Sequence, residues 1–194
     1  MKIQILLIII FAPLHLLAQS GIPSSSETPM GDDKAKGYFN YLSLGSLIGS
    51  KGDDHTHISS LLMEHNYQLN KNIVFGLVTG LEWFDAMVLP LGPNVKGLLP
   101  RRHNSCFFAG SSGGYAVALE DLDTEHEEID AKGGPFFNAE LGYILPSKKR
   151  YNLFFALGYR YHEFISMRND WFLNEVETKV IYNRFSFKVG IRFF

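Results

Sequence analysis

The sequence predicts an all-β fold: an eight-stranded antiparallel up-and-down β-barrel that spans a membrane. The prediction depends on an alternating carboxyl-terminal segment, eight strand-like runs and links of two lengths. From Val180 to Phe194 the chain reads VIYNRFSFKVGIRFF, with a bulky apolar side chain at nearly every second position. A period of two places alternate residues on opposite faces of a strand. One face is therefore apolar and the other small or cationic, as in the closing strand of a membrane barrel.

Eight runs with strand character follow one another from Gly37 onward. Most exceed the roughly 9 to 11 residues that a tilted strand needs to cross a bilayer. Pro90 and Pro93 make the fourth run the least regular, because proline cannot donate to a strand ladder. The predicted bounds are Gly37–Gly49, Thr56–Leu69, Ile73–Trp83, Ala86–Leu99, Cys106–Leu119, Pro135–Leu145, Tyr151–Phe164 and Val180–Phe194.

The links between the runs differ in length in a nearly regular way, with one exception, the very short link after the third run near Asp85. Those after the second, fourth and sixth runs are short, with the sequences NKN, PRRHNS and PSKKR. Those after the fifth and seventh runs, Glu120–Gly134 and Ile165–Lys179, are long and polar. Outer-membrane barrels have short periplasmic turns and longer external loops. The pattern therefore predicts that the short links face the periplasm and that the acidic loop faces outward.

Side-chain volume indicates which face of the strands is inside. A soluble eight-stranded barrel such as a lipocalin also alternates, with its apolar face inward, and remains an alternative. An eight-stranded barrel encloses just enough space for side chains to fill it. On the seventh run, Ala156 and Gly158 suit that narrow interior, whereas Leu153 and Phe155 on the other parity suit lipid. This difference favours the membrane barrel.

Aromatic residues cluster toward the ends of the predicted strands. Amphipathic rings favour membrane interfaces, so the clustering predicts two aromatic girdles. The predicted periplasmic girdle contains Tyr38, Phe39, Tyr67, Phe107, Phe108, Tyr143, Tyr151 and Phe193. The predicted external girdle contains Trp83, Phe84, Tyr159, Tyr161, Phe164 and Tyr182.

The amino-terminal segment predicts export from the cytoplasm. Lys2 precedes an apolar stretch, Ile3–Leu17, and Ala18 offers a small residue for cleavage. We interpret residues 1–18 as a signal peptide. The alternative, an uncleaved helical anchor, is disfavoured because a spanning helix needs about 20 apolar residues. Residues 19–36, rich in Ser, Pro, Gly and charge, predict a flexible periplasmic leader, and residues 37–194 form the barrel domain.

Composition excludes several classes of function. The formal net charge is −2, which is no basic footprint for nucleic acid. The single cysteine, Cys106, cannot form an internal disulfide. No phosphate-binding glycine loop or paired-cysteine metal site is present, so no cofactor and no metal are predicted. GSSGGY around Gly113 resembles a phosphate loop only in composition; within a strand, its glycines make room in the interior.

Several segments together carry a family resemblance. The signal peptide, the eight runs, GLVTGLEWF, AELGYIL, FALGYRYHEF and the ending FKVGIRFF resemble small OmpA/OmpX-type outer-membrane β-barrel proteins of Gram-negative bacteria. The resemblance covers roughly residues 37–194. It implies location in the outer membrane, contact with membrane lipid and lipopolysaccharide, insertion by the barrel-assembly machinery and a monomer. It carries no catalytic motif, so it implies a non-enzymatic structural, envelope-integrity or surface-interaction role.

Charged residues on the small parity predict a polar interior. Buried charges must be paired to be tolerated, so we expect a structural network of ion pairs filling the lumen. The alternative, a gated pore, conflicts with the narrow lumen of eight strands. The predicted network consists of Glu64, Glu82, Lys96, Glu140, Arg160, Arg184, Lys188 and Arg192.

One short string raises an enzymatic alternative. YRYHEFIS faintly resembles the active-site strand of outer-membrane lipid A deacylases, with His162 and Ser166 as base and nucleophile. The resemblance would require a spacing of two residues, whereas four separate these two. His162 also lies on the inward parity, so a polar strand end is the favoured interpretation. A soluble periplasmic ligand-binding barrel is the other alternative.

Two acidic or histidine-containing loops could bind cations. The segment Glu120–Asp130, EDLDTEHEEID, could attract divalent cations or a basic partner, although it lacks the spacing of an EF-hand. His55 and His57 follow Asp53 and Asp54, but two histidines in a loop are weak support for a metal site. We therefore expect both segments to be solvated loops.

Overall fold

Nine β-strands and no helix are present in the residues that the computed structural model describes, namely 37–49, 57–84, 86–100, 105–119, 122–124, 127–147, 151–169 and 175–193. No helix among these residues has the length and apolarity needed to cross a membrane. The predicted signal peptide and leader lie outside the described residues. The strands are β1 Gly37–Ile48, β2 His57–Gln68, β3 Ile73–Trp83, β4 Met87–Pro100, β5 Cys106–Ala118, β6 Leu122–Thr124, β7 Glu127–Ile144, β8 Tyr151–Asn169 and β9 Glu175–Phe193.

Eight of these strands form a closed antiparallel barrel, as the sequence predicts. Each strand pairs with its neighbour along the chain, except that β5 pairs with β7 because the short β6 lies outside the barrel wall. The first and last strands close the sheet, with Asn40 opposite Phe193 and Ile48 opposite Phe185. Closure satisfies the backbone donors and acceptors of both edges, which a bilayer requires because its core offers no water.

The turn between β2 and β3 shows how the short links form. The Asn70 side-chain oxygen accepts hydrogen bonds from the backbone N–H groups of Asn72 and Ile73, both at 2.9 Å. The Leu69 N–H donates to the Ile73 carbonyl at 3.0 Å, which closes the turn. Asparagine is favoured in such turns because its short side chain satisfies nearby backbone donors. We call this end of the barrel the turn end and the opposite end the hairpin end.

Burial alternates along β9 with the parity that the sequence predicts. Phe185 and Phe187 are exposed on the outer surface, whereas Arg184, Ser186 and Lys188 are buried inside. On the outer surface of other strands, large apolar side chains are also strongly exposed, among them Leu44, Leu141 and Leu157. Apolar side chains that face outward while charges face inward suit a barrel surrounded by lipid rather than by water.

The two long links are shorter than predicted, because the strands extend beyond the expected bounds. In place of a loop over Glu120–Gly134, β6 pairs with the start of β7, with Leu122 opposite Ile129. In place of a loop over Ile165–Lys179, β8 pairs with β9 up to Asn169 opposite Glu175. Charged residues do not end a strand when a hairpin partner satisfies the backbone and the side chains reach water.

Five of the predicted girdle residues face the interior, and one of them, Phe84, is partly buried there against His162 and Tyr182. The other four, Phe39, Phe108, Phe164 and Tyr182, are between 1% and 3% exposed, so the assignment of all five to the outer surface was wrong. They lie near strand ends but on the inward parity, and parity decides the face. Other girdle residues are exposed on the outer surface, as predicted: Tyr38, Tyr67, Phe107, Tyr151, Trp83 and Tyr159.

The assignment of the two faces predicts opposite responses at adjacent positions of β9. Phe187→Arg should destabilise the barrel in lipid vesicles by about 2–4 kcal/mol, the cost of a cation on the lipid face at mid-bilayer. Val189→Leu should be nearly neutral, because lipid accommodates one more methylene. Gly190→Leu should block folding, because even a Cβ there would lie 2.3 Å from the Leu42 carbonyl oxygen and 2.6 Å from the Phe154 ring.

The measurement is the heat-dependent shift in gel mobility that reports folded barrel after incubation with vesicles. If Phe187→Arg folds as the wild type does while Val189→Leu fails, the two faces are reversed.

Candidate functional site

A central charge cluster of Glu64, Lys96, Glu140 and Lys188 lies in the lumen. The Lys96 ammonium is 3.0 Å from Glu64 Oε2 and also pairs with Glu140. The Lys188 ammonium lies 2.8 Å from Glu140 Oε2. All four side chains are buried. The Glu140 carboxylate therefore bridges two ammonium groups from β4 and β9, and Lys96 bridges two carboxylates from β2 and β7.

Two amide side chains complete the hydrogen bonding of the cluster. Asn94 donates to Glu64 Oε2 at 3.1 Å, and Asn138 donates to Glu140 Oε2 at 3.3 Å. Both amides are buried and lie two residues from a charged member on the same strand, so they share its inward parity. A buried ion pair is tolerated only when its remaining lone pairs are satisfied. Each amide adds a donor to a carboxylate, although the two amide oxygens have no hydrogen-bond partner among the described residues. Inward parity was the sequence signal that could have identified the amides.

Aromatic rings cover the charge cluster on its turn-end side. The Lys96 ammonium is 4.8 Å from the centroid of the Tyr41 ring and 4.8 Å from that of Phe108. The Tyr41 ring in turn packs edge-on against Phe154 at 4.9 Å. Electron-rich ring faces attract cations, more strongly where water is excluded. We call this layer the turn-end cluster, and it consists of Phe39, Tyr41, Val74, Leu98, Cys106, Phe108, Ile144, Phe154 and Ala156.

A second apolar layer lies toward the hairpin end. Within it, Arg160 pairs with Glu82 at 2.5 Å, and its guanidinium lies 4.0 Å from the centroid of the Phe136 ring. Arg184 donates to the Gly49 carbonyl at 3.4 Å and lies over the Tyr182 ring at 5.3 Å. We call this layer the hairpin-end cluster, and it consists of Leu62, Val78, Ala86, Val88, Ala116, Phe136, Phe164 and Tyr182.

The structure places all eight predicted lumen charges inside the barrel, but in three separate groups. Four form the central charge cluster, and the pair of Arg160 with Glu82 lies farther toward the hairpin end, as does Arg184 over the Tyr182 ring. Arg192 lies near the turn end, with its guanidinium 4.2 Å from the centroid of the Phe39 ring. The charges therefore occupy successive levels along the lumen, and aromatic rings separate them.

The geometry offers no support for the enzymatic alternative. His162 is fully buried and faces the lumen, 4.6 Å from the Phe84 ring, and neither ring nitrogen has a hydrogen-bond partner among the described residues. Ser166 lies in β8 opposite Thr178, and its side chain lies outside the described part of the chain. A base that attacks membrane lipid needs access to the lipid, and this histidine has none.

The predicted cation-binding segments remain largely outside the described residues. The side chains from Glu120 to Asp130 are not described, and neither are Asp53, Asp54 and His55. His57 begins β2 with its side chain exposed. Among the residues that are described, no group of three or more His, Cys, Asp or Glu side chains could hold a metal ion.

Comparison with solved structures identifies similar folds. The outer membrane protein OprG from Pseudomonas aeruginosa matches with a TM-score of 0.61 and 13% identity, over 81% of this chain and 95% of OprG. Outer membrane protein AlkL, solved in DMPC lipid bilayers, matches with a TM-score of 0.54 and 13% identity, over 89% of this chain and 95% of AlkL. The chain has the fold of an outer-membrane β-barrel. The matches support that class and do not single out the OmpA/OmpX type.

No protein-family model matches the sequence, and no curated protein matches it. The likeness to OprG and AlkL is one of fold, because 13% identity carries no functional residue across. What the chain does must be argued from its own interior and surface.

The shared carboxylate of Glu140 predicts a large effect on stability. Glu140→Gln removes the anion that Lys188 contacts and one of two that Lys96 contacts. We expect the free energy of unfolding in vesicles to fall by about 3–5 kcal/mol, because uncompensated charge then remains buried. Adding Lys188→Met should restore part of the loss, because it removes a cation that has lost its partner.

Glu163→Gln is the matched control. Glu163 pairs with Lys179 at 2.7 Å, and that lysine is half exposed. Exposed pairs contribute about 0–1 kcal/mol, so urea titration should show a small change. Equal losses for Glu140→Gln and Glu163→Gln would contradict a buried network.

Proposed function

We propose that the protein is a non-enzymatic outer-membrane β-barrel whose interior is a structural core and whose contacts with other molecules are made at its hairpin end. The observation that carries the proposal is the central charge cluster: four buried side chains, from four strands, pair across the whole lumen. An eight-stranded barrel has only enough interior space for its own side chains. The lumen is thus a packed core that holds the wall together, and it offers no axial route for ions.

The lengths of three strands support the proposal that contacts with other molecules are made at the hairpin end. β7, β8 and β9 have 18, 19 and 19 residues, against the roughly 9 to 11 that cross a bilayer. The surplus lies at the hairpin end, where the chain projects into water. We propose that this end faces outward, with the turn end in the periplasm. The proposed partners are outer-membrane lipid and lipopolysaccharide, with the barrel-assembly machinery during insertion, and the proposed state is a monomer.

Conductance tests the closed interior. In planar bilayers with concentrated potassium chloride, the purified barrel should give no steady single-channel current, whereas a porin in the same set-up should. A steady current from the wild type that changes when Lys96 is replaced by Met would show ions passing the charge cluster. That result would overturn the structural role.

Lipid A mass spectrometry tests the absence of enzymatic activity. Lipid A from cells with the gene and from cells without it should have the same acyl chains. Loss of an acyl chain that depends on His162 would favour the deacylase alternative instead.

A second candidate function, passage of small apolar molecules through the barrel wall, is favoured by a weak patch in that wall. The pairing of β4 with β5 passes from Leu91 opposite Tyr115 to Asn94 opposite Ser112 and skips Gly92 and Pro93. Proline cannot donate a ladder hydrogen bond, and glycine adds no side chain to pack.

Two other pairings of the wall are also irregular. The register of β3 with β4 skips Pro90, and that of β7 with β8 shifts between Ala131 and Gly133. Gly133 has φ of 78°, a left-handed conformation that favours glycine. The patch borders the hairpin-end cluster through Val88 and Ala116. Apolar molecules in that cluster would need to cross only this part of the wall to reach lipid.

Restoring the missing donors should close such a route. Pro90→Val with Pro93→Val should slow uptake of radiolabelled octane by cells that carry the barrel, because valine supplies an N–H group and packs well in strands. Pro146→Val, outside the strands and exposed, should not. Unchanged octane uptake by the double variant would exclude this patch as the route.

A further inference from the structure

Three polar side chains of the outward parity form a cluster near the turn end, where Tyr38 is exposed, His65 is partly exposed and Asn40 is fully buried. The Tyr38 hydroxyl lies 2.6 Å from His65 Nδ1, and the same nitrogen lies 2.8 Å from Asn40 Oδ1. The Tyr38 and His65 rings are stacked, with 14° between their planes. We call Tyr38, Asn40 and His65 the polar trio. The next residues of the same parity on these two strands, the exposed Leu42 and the buried Met63, are apolar, so the trio is a local polar exception on this parity.

With the Asn40 amide oriented as in the structure, the hydrogen bonds of the trio leave one donor and one acceptor unused. In this orientation the amide oxygen accepts the hydrogen bond and His65 Nδ1 carries the proton. That nitrogen then has no lone pair for Tyr38, and the phenolic oxygen can only share the same proton as an acceptor. The Tyr38 hydroxyl proton is therefore left to donate elsewhere. In the neutral imidazole, the unprotonated Nε2 is left to accept a hydrogen bond.

The depth of the trio places these two groups among lipid headgroups. Tyr38 and Tyr67 lie opposite each other at the end of their strands, and both are about half exposed, as in an interfacial girdle. Asn40 and His65 lie two residues farther along, which is about 5 Å deeper for a strand tilted by about 40°. Polar atoms at this depth meet the glycerol and phosphate groups of the adjacent leaflet.

We propose that the polar trio binds the phosphoethanolamine headgroup of a phospholipid in the leaflet at the turn end. The lipid ammonium donates a hydrogen bond to His65 Nε2, and a phosphate oxygen accepts one from the Tyr38 hydroxyl. Leu42 and Leu44, 42% and 67% exposed, continue the outer surface of β1 toward mid-bilayer, where the acyl chains lie. The site goes beyond the proposed function and is independent of the role of the interior.

The chemistry of the trio distinguishes among phospholipids. A phosphocholine headgroup has the phosphate but no N–H to donate to His65. A phosphoglycerol headgroup has the phosphate and hydroxyl donors but no cation. Of the three headgroups, only phosphoethanolamine carries both a phosphate and a charged N–H donor, its primary ammonium. A water-soluble glycerophosphoethanolamine has the same polar groups but no acyl chains to lie along Leu42 and Leu44.

Native mass spectrometry tests the site. The barrel is placed in nanodiscs with equal amounts of the three phospholipids and is released from them at mildly alkaline pH. The wild type should retain phosphatidylethanolamine over phosphatidylcholine and phosphatidylglycerol by roughly tenfold, the ratio that one hydrogen bond to a charged group supports. Tyr38→Phe removes the hydroxyl and keeps the ring, and His65→Leu removes the acceptor. Each should reduce the selectivity to near that of the bulk mixture.

Tyr67→Phe is the matched control, since it removes a hydroxyl from the same girdle without touching the trio. It should keep the selectivity of the wild type, and gel mobility should confirm that every variant is folded. Equal retention of the three lipids by the wild type would overturn the proposal. The same holds if Tyr67→Phe loses selectivity as Tyr38→Phe does, or if glycerophosphoethanolamine in solution displaces the lipid. Failure here would leave the conductance result of the proposed function unaffected, so the two can be distinguished.

Discussion

The Glu140 carboxylate, held between the ammonium groups of Lys96 and Lys188, is the interaction on which the arrangement of the interior depends. A barrel in lipid presents apolar side chains outward, so its polar residues must be satisfied inside a space with little water. Charges in such a space are costly unless each one is paired and its remaining hydrogen bonds are made. The two lysines and two amides around Glu64 and Glu140 provide these partners, and the cluster draws its members from four strands, so it ties the wall together across the lumen.

The glycines of the small parity make this cluster possible. A Cβ at Gly110 would lie 2.9 Å from Lys96 Cγ, and one at Gly158 would lie 3.1 Å from Glu140 Cβ. The long side chains therefore occupy volume that neighbouring strands leave open. The aromatic layers on either side exclude water from the cluster, which strengthens its ion pairs. The charge cluster in this lumen therefore depends on the packing around it, namely on the glycines that leave space and the aromatic rings that exclude water.

Local sequence pattern predicted the fold because the bilayer imposes one rule on every strand: apolar side chains alternate outward, and small or charged side chains alternate inward. Alternation along β9 and the small residues of β8 predicted the correct faces, and the alternation of short and long links predicted which end faces the periplasm. The same rule, applied strictly, would have placed Phe39 and Phe108 inside. They were assigned to the outer surface because they lie near strand ends. The hairpin extensions could not be predicted from pattern, because solvated strands carry charge on both faces and are specified by pairing rather than by burial.

The partners within the site required the three-dimensional register. Parity identifies Lys96 and Glu140 as inward residues, but they are 44 positions apart, and only strand tilt and stagger bring them to one level. The polar trio was missed for a different reason: Asn40 and His65 are isolated exceptions to an apolar parity, and a pattern argument treats single exceptions as noise.

Adjacent phenylalanines test the central claim, that the bulky parity faces lipid and the charged parity faces the lumen. Phe136 is buried and Phe137 is exposed, and Phe107 and Phe108 form a second such pair on β5. With Trp83 and Trp171 replaced by Phe, a single Trp would be placed at each position and its fluorescence measured in vesicles of brominated lipid. The account predicts strong quenching at 107 and 137 and weak quenching at 108 and 136. Strong quenching at 108 and 136, with protection at 107 and 137, would contradict it.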